Sequence, residues 1–163
     1  MSLKSNKTAY CKTPIGTAEL TANSEGLISV KITDIDYETV SHTPPRGLSK
    51  PVKQLTAYFK GELKEFDLKL NIQGTKFQKK VWQLLLEVPY GKTLTYLELA
   101  RQFGDESAIR AVAHANAVNP LWVIIPCHRI MGSDGSLTGY AGGLWRKEWL
   151  LNHEQNIHQA KLF

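Results

Sequence analysis

Residues 95–118, TYLELARQFGDESAIRAVAHANAV, decide the fold of the second half of this chain. Thr95 can cap the amino end of a helix that runs to about Phe103, with Glu98 at the position that completes a capping box. Gly104-Asp105 predicts a tight turn directly after that helix. A second helix after a short, glycine-containing turn predicts a helix-turn-helix motif.

The second helix of this stretch can begin at Ser107, whose hydroxyl suits an N-cap. It must end near Val118, because Asn119 precedes a proline and such a residue avoids helical geometry. The pattern leaves two interpretations open: an ordinary helical hairpin, or a DNA-reading helix whose small alanines allow close approach to a sugar-phosphate backbone. Its predicted inward face is Ile109, Val112 and Ala113, and its predicted outward face is Arg110, His114 and Ala117.

Apolar patterns on both sides of this motif predict two more helices and one buried segment. Residues 121–125, LWVII, are continuously apolar, which predicts a buried, extended segment that leads into Pro126-Cys127. A helix before the motif ends at Pro89-Tyr90-Gly91, and a last helix ends near His153-Glu154. The first of these helices carries Phe77, Val81, Leu84, Leu85 and Val88, and the last carries Trp145, Trp149, Leu150 and Leu151.

The first half of the chain has the pattern of a small α/β domain. Residues 8–12, 18–22 and 27–33 are strand candidates, and Asn23-Ser24-Glu25-Gly26 predicts a hairpin turn between the last two. Residues 43–47, TPPRG, predict a loop.

A helix and a final strand are predicted after this loop. Val52, Leu55 and Phe59 fall at helical spacing, and Gly61 stands where the helix would be capped. The alternation in residues 66–70, FDLKL, predicts a strand, and residues 71–75 look like a linker. The chain is therefore predicted to divide into domains 1–75 and 76–163.

The composition is that of a folded protein with an anionic partner. Apolar residues make up 42% of the chain and charged residues 21%, which argues against disorder. The net charge of +5 favours an anionic partner, nucleic acid first. No apolar run approaches the roughly 20 residues of a membrane-spanning helix, and no apolar stretch follows the basic start of the chain, so a signal peptide is not expected. We expect a cytoplasmic protein without a membrane partner.

Cys127 has surroundings that suit nucleophilic chemistry. His128 follows it directly, and an imidazole can take the proton of a thiol or stabilise the thiolate. Such a histidine needs an orienting partner, for which Glu154 is a candidate. The pattern alone leaves a buried, inert cysteine open as the other interpretation. Cys11 has no such neighbour and is expected in the core.

The run Ile124-Ile125-Pro126-Cys127-His128-Arg129 resembles the active-site signature of the O6-alkylguanine-DNA alkyltransferases, also called methylated-DNA–protein-cysteine methyltransferases. The resemblance covers nearly the whole chain, because several short motifs agree with the family in order and spacing. These motifs include Gly74-Thr75-Lys76-Phe77-Gln78, Pro89-Tyr90-Gly91-Lys92-Thr93, Arg110-Ala111-Val112, Gly142-Gly143-Leu144 and Leu150-Leu151-Asn152-His153-Glu154.

The resemblance implies a fold and an activity. It implies a ribonuclease H-like α/β domain with a small antiparallel sheet and a helix over 1–75, and a mainly helical domain with a winged-helix-like helix-turn-helix over 76–163. The implied activity is direct-reversal DNA repair, in which the alkyl group of O6-alkylguanine, or of O4-methylthymine, in double-stranded DNA moves to Cys127 after the nucleotide is flipped. Because the thioether product cannot be reversed, one molecule would repair one lesion.

The resemblance also implies roles for individual residues. Cys127 would be the alkyl acceptor, His128 its base acting through a water, and Glu154 and Asn119 the residues that support His128. Arg110 would enter the duplex and fill the space of the flipped base. Tyr96, Tyr140, Ala141, Gly142, Ile130 and Asn116 would form the substrate pocket, and Gln78 and Ser133 would contact DNA at its periphery.

The chain also departs from some family members. Some hold a structural zinc in the first domain through Cys and His, but this chain has Cys11 alone there, so we expect no metal and no other cofactor. Ala141 stands where other members often have a polar or larger residue, which bears on tolerance for bulky alkyl groups. A monomer is expected.

Three other functions stay open from the sequence. One is a non-catalytic sensor of alkylated DNA, although such proteins typically replace the acceptor cysteine and lack the first domain. Another is a helix-turn-helix regulator with an incidental cysteine, and the third is a Cys-His thiol hydrolase. Tyr96, Arg110 and Asn119 together have little use in a regulator and none in a hydrolase.

Overall fold

The computed structural model describes residues 5–35 and 44–155. The chain forms two compact units, Met1–Gln73 with Pro120–Trp122, and Gly74–Asn119 with Val123–Phe163. Pro120–Trp122 thus belongs to the first unit although it is distant in sequence, which no sequence pattern indicated. Within the described ranges, no helix combines the length and the apolar character needed to cross a membrane.

The first unit contains an antiparallel meander of three strands in the order β1 (Lys7–Thr13), β2 (Gly16–Asn23) and β3 (Gly26–Thr33). All three predicted strands are confirmed. Asn23 pairs with Gly26, so the predicted hairpin turn is a two-residue loop. Alternate side chains of the strands are buried because successive residues face opposite sides of a sheet. Cys11 lies in this core, as expected.

Helix α1 (Ser49–Phe59) follows in the first unit and buries Leu55 and Tyr58. Gly61 comes just after its C-cap residue with a φ of 77°, a left-handed conformation that suits glycine at the end of a helix. The prediction of a helix that ends before Gly61 is therefore confirmed. In the predicted loop 43–47, Thr43 lies outside the described residues.

The final strand predicted for residues 66–70 is wrong. Leu70 forms an isolated bridge with Leu27, and the preceding residues are irregular. The side chain of Gln54 on α1 accepts from the N–H of Asp67 at 2.9 Å and donates to its carbonyl at 3.1 Å. A side chain thus satisfies the backbone groups that a neighbouring strand would otherwise satisfy.

Residues 121–125 are buried as predicted, apart from the half-buried Trp122, but they are not a continuous strand. Leu121 makes an isolated bridge with Val30, after which the chain turns. Val123 has a φ of 72°, which is rare for a β-branched residue. The apolar run therefore encodes a buried turn, which periodicity alone does not distinguish from a buried strand.

The second unit contains α2 (Lys76–Leu86), β4 (Leu94–Thr95), α3 (Tyr96–Phe103), α4 (Ile109–Ala117), β5 (Ile130–Met131) and α5 (Leu144–Glu154). The capping box of Thr95 and Glu98 at the start of α3 is confirmed. Trp82 of α2 is buried, and its indole donates to the carbonyl of Ala115 on α4 at 2.8 Å. Strand β4 pairs in parallel with β5 and so brings the start of α3 beside the residues after Cys127.

The helix-turn-helix is present with two differences from prediction. Asp105 rather than Ser107 is the cap, because its carboxylate accepts from the N–H of Ser107 at 3.0 Å and begins a short 3-10 turn that leads into α4. The buried face of α4 consists of Val112, Ala115 and Asn116, while the predicted Ile109 and Ala113 are half-buried. The predicted outward residues Arg110, His114 and Ala117 are exposed.

Candidate active site

Cys127 is presented by a tight turn of the backbone. Pro126 has a φ of −80° and a ψ of 62°, and the N–H of Cys127 donates to the carbonyl of Ile125 at 2.8 Å. This is an inverse γ-turn. A short 3-10 turn over Cys127–Arg129 follows and leads into β5. The thiol is therefore fixed between two turns, and it is buried.

Two asparagines at the end of α4 hold the peptide groups around Cys127. Asn119 donates from Nδ2 to the carbonyl of Ile125 at 2.8 Å, and Asn116 donates from Nδ2 to the carbonyl of Cys127 at 3.4 Å. Both side chains are buried. The end of the second helix of the helix-turn-helix is thus joined directly to the segment that carries the thiol.

The Cys127 thiol is not ionised at neutral pH. Burial raises its pKa to about 11, although a hydrogen bond from Asn119 and the positive charge of Lys147 both act to lower it. A thiol reacts as the thiolate. Cys127 therefore needs a base to take its proton when it reacts.

His128 and Arg129 share the carboxylate of Glu154 at the end of α5. His128 Nε2 lies 2.7 Å from Glu154 Oε2, so the contact predicted from the sequence is confirmed. Arg129 donates from Nε to Oε1 at 2.7 Å and from Nη2 to Oε2 at 2.9 Å. A third donor of Arg129, Nη1, reaches the carbonyl of Val88 at 2.7 Å. All three side chains are buried.

The contacts of Glu154 with His128 and Arg129 determine the ionisation states of Glu154 and His128. Burial disfavours the charge of Glu154, but the hydrogen bonds of His128 and Arg129 and the positive charge of Arg129 outweigh it and hold the pKa of the carboxyl below its ordinary range. Burial lowers the pKa of His128 more than the Glu154 carboxylate raises it. The native pair is thus a neutral imidazole beside a carboxylate.

The carboxylate also selects the tautomer of His128. Glu154 can only accept, so Nε2 of the neutral ring must carry the proton and donate it. Nδ1 then has a free lone pair. That atom is buried and has no hydrogen-bond partner among the residues of the described ranges. The ring can therefore accept a proton at Nδ1.

The residues predicted to form the substrate pocket lie in the second unit. Tyr96, at the start of α3, donates from its hydroxyl to the carbonyl of Thr138 at 3.1 Å. Burial and the negative charge of a Cys127 thiolate raise the pKa of Tyr140 well above its usual value. Ile130 and Gly142 are buried, whereas Ala141 is exposed.

The three residues predicted to contact DNA at α4 and at its periphery, Arg110, Ser133 and Gln78, differ in their exposure to solvent. Arg110 on α4 and Ser133 are exposed. Gln78 is half-buried, and its Oε1 accepts from the N–H of Thr75 at 2.9 Å in a capping box of α2. One side-chain atom of Gln78 is therefore already used to cap a helix.

Sequence reasoning missed the buried cations, among them Arg129 and Lys147. Arg129 holds Glu154 as described, and the ammonium of Lys147 contacts the carbonyls of Ile130 and Thr138. A signal for Lys147 was present, since it lies at helical spacing with Leu150, Leu151 and Glu154 on the buried face of α5. A lysine on an apolar face needs polar partners, so its position in the sequence indicates that hydrogen-bond acceptors lie near the buried ammonium.

Comparison with known proteins agrees with this geometry. The family model described as "6-O-methylguanine DNA methyltransferase, ribonuclease-like domain" matches residues 6–72, and the model for the DNA binding domain of the same methyltransferases matches residues 76–156. These two matches identify the class as the alkyl-transfer proteins that pair a ribonuclease-like domain with a DNA-binding one.

Individual relatives narrow the class to a family. The methylated-DNA–protein-cysteine methyltransferase of Mycolicibacterium paratuberculosis is 44% identical over 152 residues, which cover 91% of this chain and 92% of that protein. The chain belongs to the methylated-DNA–protein-cysteine methyltransferase family.

Solved structures agree in fold as well. The crystal structure of the Mycobacterium tuberculosis O6-methylguanine methyltransferase has a TM-score of 0.83 and 42% identity, and covers 93% of this chain and 94% of that one. A structure of the M. tuberculosis protein in complex with DNA has a TM-score of 0.82 and 45% identity, and covers 91% of this chain and 93% of that one.

Proposed function

We propose that this protein repairs DNA by moving the alkyl group of O6-alkylguanine to its own Cys127. The proposal rests on family membership and, above all, on one observation: the buried Cys127 is followed directly in the chain by a buried, neutral histidine whose free lone pair is on Nδ1. A non-catalytic sensor or a regulator would leave this pair without a use. A hydrolase could use the pair, but it would leave Tyr96, Arg110 and Asn119 without one.

The chemical step follows from the ionisation states. The Cys127 proton passes through a bridging water to Nδ1 of His128, and Glu154 stabilises the imidazolium that forms. The thiolate attacks the alkyl carbon, the carbon–oxygen bond breaks, and its electron pair stays on the guanine. The guanine finally carries the proton that began on sulfur, so atoms and charges balance. The product is a thioether, and each molecule acts once.

Access to the lesion requires that the nucleotide leave the duplex. Arg110 is exposed on α4 and would fill the vacated space, while Tyr96 at the start of α3 would bind the extruded guanine. Asn119 supports the peptide that presents the thiol. Tyr140, Ala141, Gly142, Ile130 and Asn116 would complete the pocket, and Gln78 and Ser133 would contact the DNA backbone.

Several finer properties belong to the same proposal. The protein would also accept O4-methylthymine, act as a monomer in the cytoplasm, and need neither metal nor cofactor. Its two domains would span 1–75 and 76–163. Because the phosphate backbone supplies sequence-independent binding, little preference for flanking sequence is expected.

The experiment is transfer of a labelled methyl group from duplex DNA that contains one O6-methylguanine. We expect the label on the wild-type protein and on Cys11→Ala, and no label on Cys127→Ala, which should still bind DNA. Label on Cys127→Ala would contradict the assignment. Release of the methyl group with many turnovers per molecule would instead indicate a hydrolase.

A further inference from the structure

The connection between α2 and β4 contacts both members of the buried ion pair. The carbonyl of Val88 accepts from Nη1 of Arg129 at 2.7 Å. Three residues later, the N–H of Gly91 donates to Oε1 of Glu154 at 3.3 Å. Residues 88–91 thus present an acceptor to the cation and a donor to the carboxylate.

Gly91 has a backbone conformation that few other residues adopt. The N–H of Lys92 donates to the carbonyl of Pro89 at 3.1 Å, which closes a four-residue turn with Gly91 in its third position. Gly91 has a φ of 77°, whereas Tyr90, in the second position, does not have a positive φ. This combination is a type II β-turn, which requires a positive φ at its third position and therefore favours glycine there.

The type of turn decides the direction of the Gly91 N–H. The central peptide group of a type II turn joins its second and third residues and is turned over relative to that of a type I turn. In this turn the central peptide group contains the N–H of Gly91, which points at Glu154. The type I form, which suits most other residues, would direct this N–H away from the carboxylate. Glycine at position 91 is therefore needed for the hydrogen bond as well as for the turn.

Gly91 also packs closely on the last turn of α5. A Cβ at this position would lie 3.3 Å from the backbone carbonyl oxygen of Glu154, which is closer than an ordinary van der Waals contact. Glycine is the residue that allows such a close approach of two backbones. A side chain at position 91 would therefore displace the same residue whose carboxylate Gly91 binds.

We propose that Gly91 is a positioning residue for the alkyl transfer and that it acts through Glu154. Oε1 of Glu154 accepts from Gly91 and from Nε of Arg129, so the rotation of the carboxylate is fixed. Oε2 is thereby directed at Nε2 of His128, 2.7 Å away, and Nδ1 of the ring stays available for the thiol proton. The inference rests on the proposed function for its role in catalysis. The effect of Gly91 on His128 can nevertheless be measured without DNA.

The test compares Gly91→Ala with Gly61→Ala as the matched control. Gly61, just after α1, has the same φ of 77°, but a Cβ there would meet nothing within 4 Å. Both variants should be less stable than the wild type, because both force alanine into the left-handed region. Only Gly91→Ala should move the NMR resonance of the His128 Nε2 proton, which a short hydrogen bond to a carboxylate shifts downfield. It alone should also slow methyl transfer from damaged duplex, about tenfold, because small misplacements of catalytic groups have effects of this order.

A folded Gly91→Ala protein with the wild-type His128 resonance or the wild-type transfer rate would overturn the proposal, and so would an equal change in Gly61→Ala. If Gly91→Ala does not fold, amide hydrogen exchange of the wild-type protein decides. The Gly91 N–H should exchange slowly, and free exchange would show that its bond to Glu154 does not form. If the wild-type protein transferred no methyl group, the proposed function would fail, while the His128 resonance would still test the action of Gly91 on the base.

Discussion

His128 Nε2 lies 2.7 Å from Glu154 Oε2, and both side chains are buried. Because a carboxylate only accepts hydrogen bonds, this contact places the ring proton on Nε2 and the lone pair on Nδ1. The same carboxylate is held by two donors of Arg129. Glu154 therefore fixes both the tautomer of the base and the position of a buried cation.

Replacement of Glu154 by Gln should abolish transfer and destabilise the protein. It leaves the buried charge of Arg129 without its partner, and such losses cost about 3–5 kcal/mol. Urea unfolding should show this decrease in the free energy of unfolding. Glu148→Gln, an exposed change on the same helix, is the control and should have little effect. Wild-type stability in Glu154→Gln would mean that the ion pair does not form.

Stability should fall as the pH decreases from neutral. The pKa values of His128 and Glu154 are both lowered in the folded protein. The unfolded chain therefore binds more protons than the native one. The contribution of His128 is present above the ordinary histidine pKa of 6.5 and declines below it. The contribution of Glu154 declines only below the ordinary glutamate pKa of 4.5. Urea unfolding between neutral pH and pH of about 5 measures the slope. His128→Gln should reduce this slope, and the exposed His114→Gln should not. Equal slopes in all three proteins would contradict the buried neutral imidazole.

Asn119→Ala should make the thiol less reactive. The Asn119 side chain lowers the pKa of Cys127 and holds the Ile125 carbonyl, so its loss should raise that pKa and cost about 1–3 kcal/mol of stability. Asn23→Ala, which removes a turn amide in the first unit, is the control and should not change the pKa of Cys127. An unchanged thiol titration in Asn119→Ala would show that the amide has no influence on the sulfur.

Arg110→Ala should slow repair of duplex DNA more than repair of a single strand. An inserted arginine offsets part of the free energy that is needed to unpair and unstack the flipped nucleotide. In a single strand the base is already unpaired, so this free-energy cost is much smaller. We expect roughly a tenfold larger loss on the duplex, equivalent to about 1.4 kcal/mol. Arg101→Ala, an exposed residue paired with Glu106, should affect both substrates alike. Equal loss on both substrates with Arg110→Ala would assign this arginine to general DNA binding.

Sequence patterns predicted the elements whose signals are local. The capping box of Thr95 and Glu98 and the glycine after α1 are short-range devices, and both were recognised. The cap at Asp105 was missed because Ser107 has an equally suitable side chain, and the choice depends on the turn between them. The prediction of a strand at 66–70 was wrong because Gln54, which is distant in sequence, satisfies the backbone N–H and carbonyl groups of Asp67.

The residues of the site fall into the same two groups: those that local sequence indicated and those whose roles depend on the fold. Cys127 and His128 are adjacent in sequence, and family resemblance indicated Glu154. The roles of Arg129 and Lys147 depend on which carboxylate or carbonyl the fold brings to a buried cation, and sequence does not contain that information directly. The turn at Val123 likewise depends on tertiary packing that overrides the preference of valine for extended structure.

The most direct test of the account is the mass of the intact protein after incubation with excess duplex that contains O6-methylguanine. We predict a gain of one methyl group per molecule, located by peptide mapping on Cys127 and absent from Cys11, with no further gain at longer times. DNA binding without a gain in mass, or a methyl group on any other residue, would contradict the assignment of Cys127 as the acceptor.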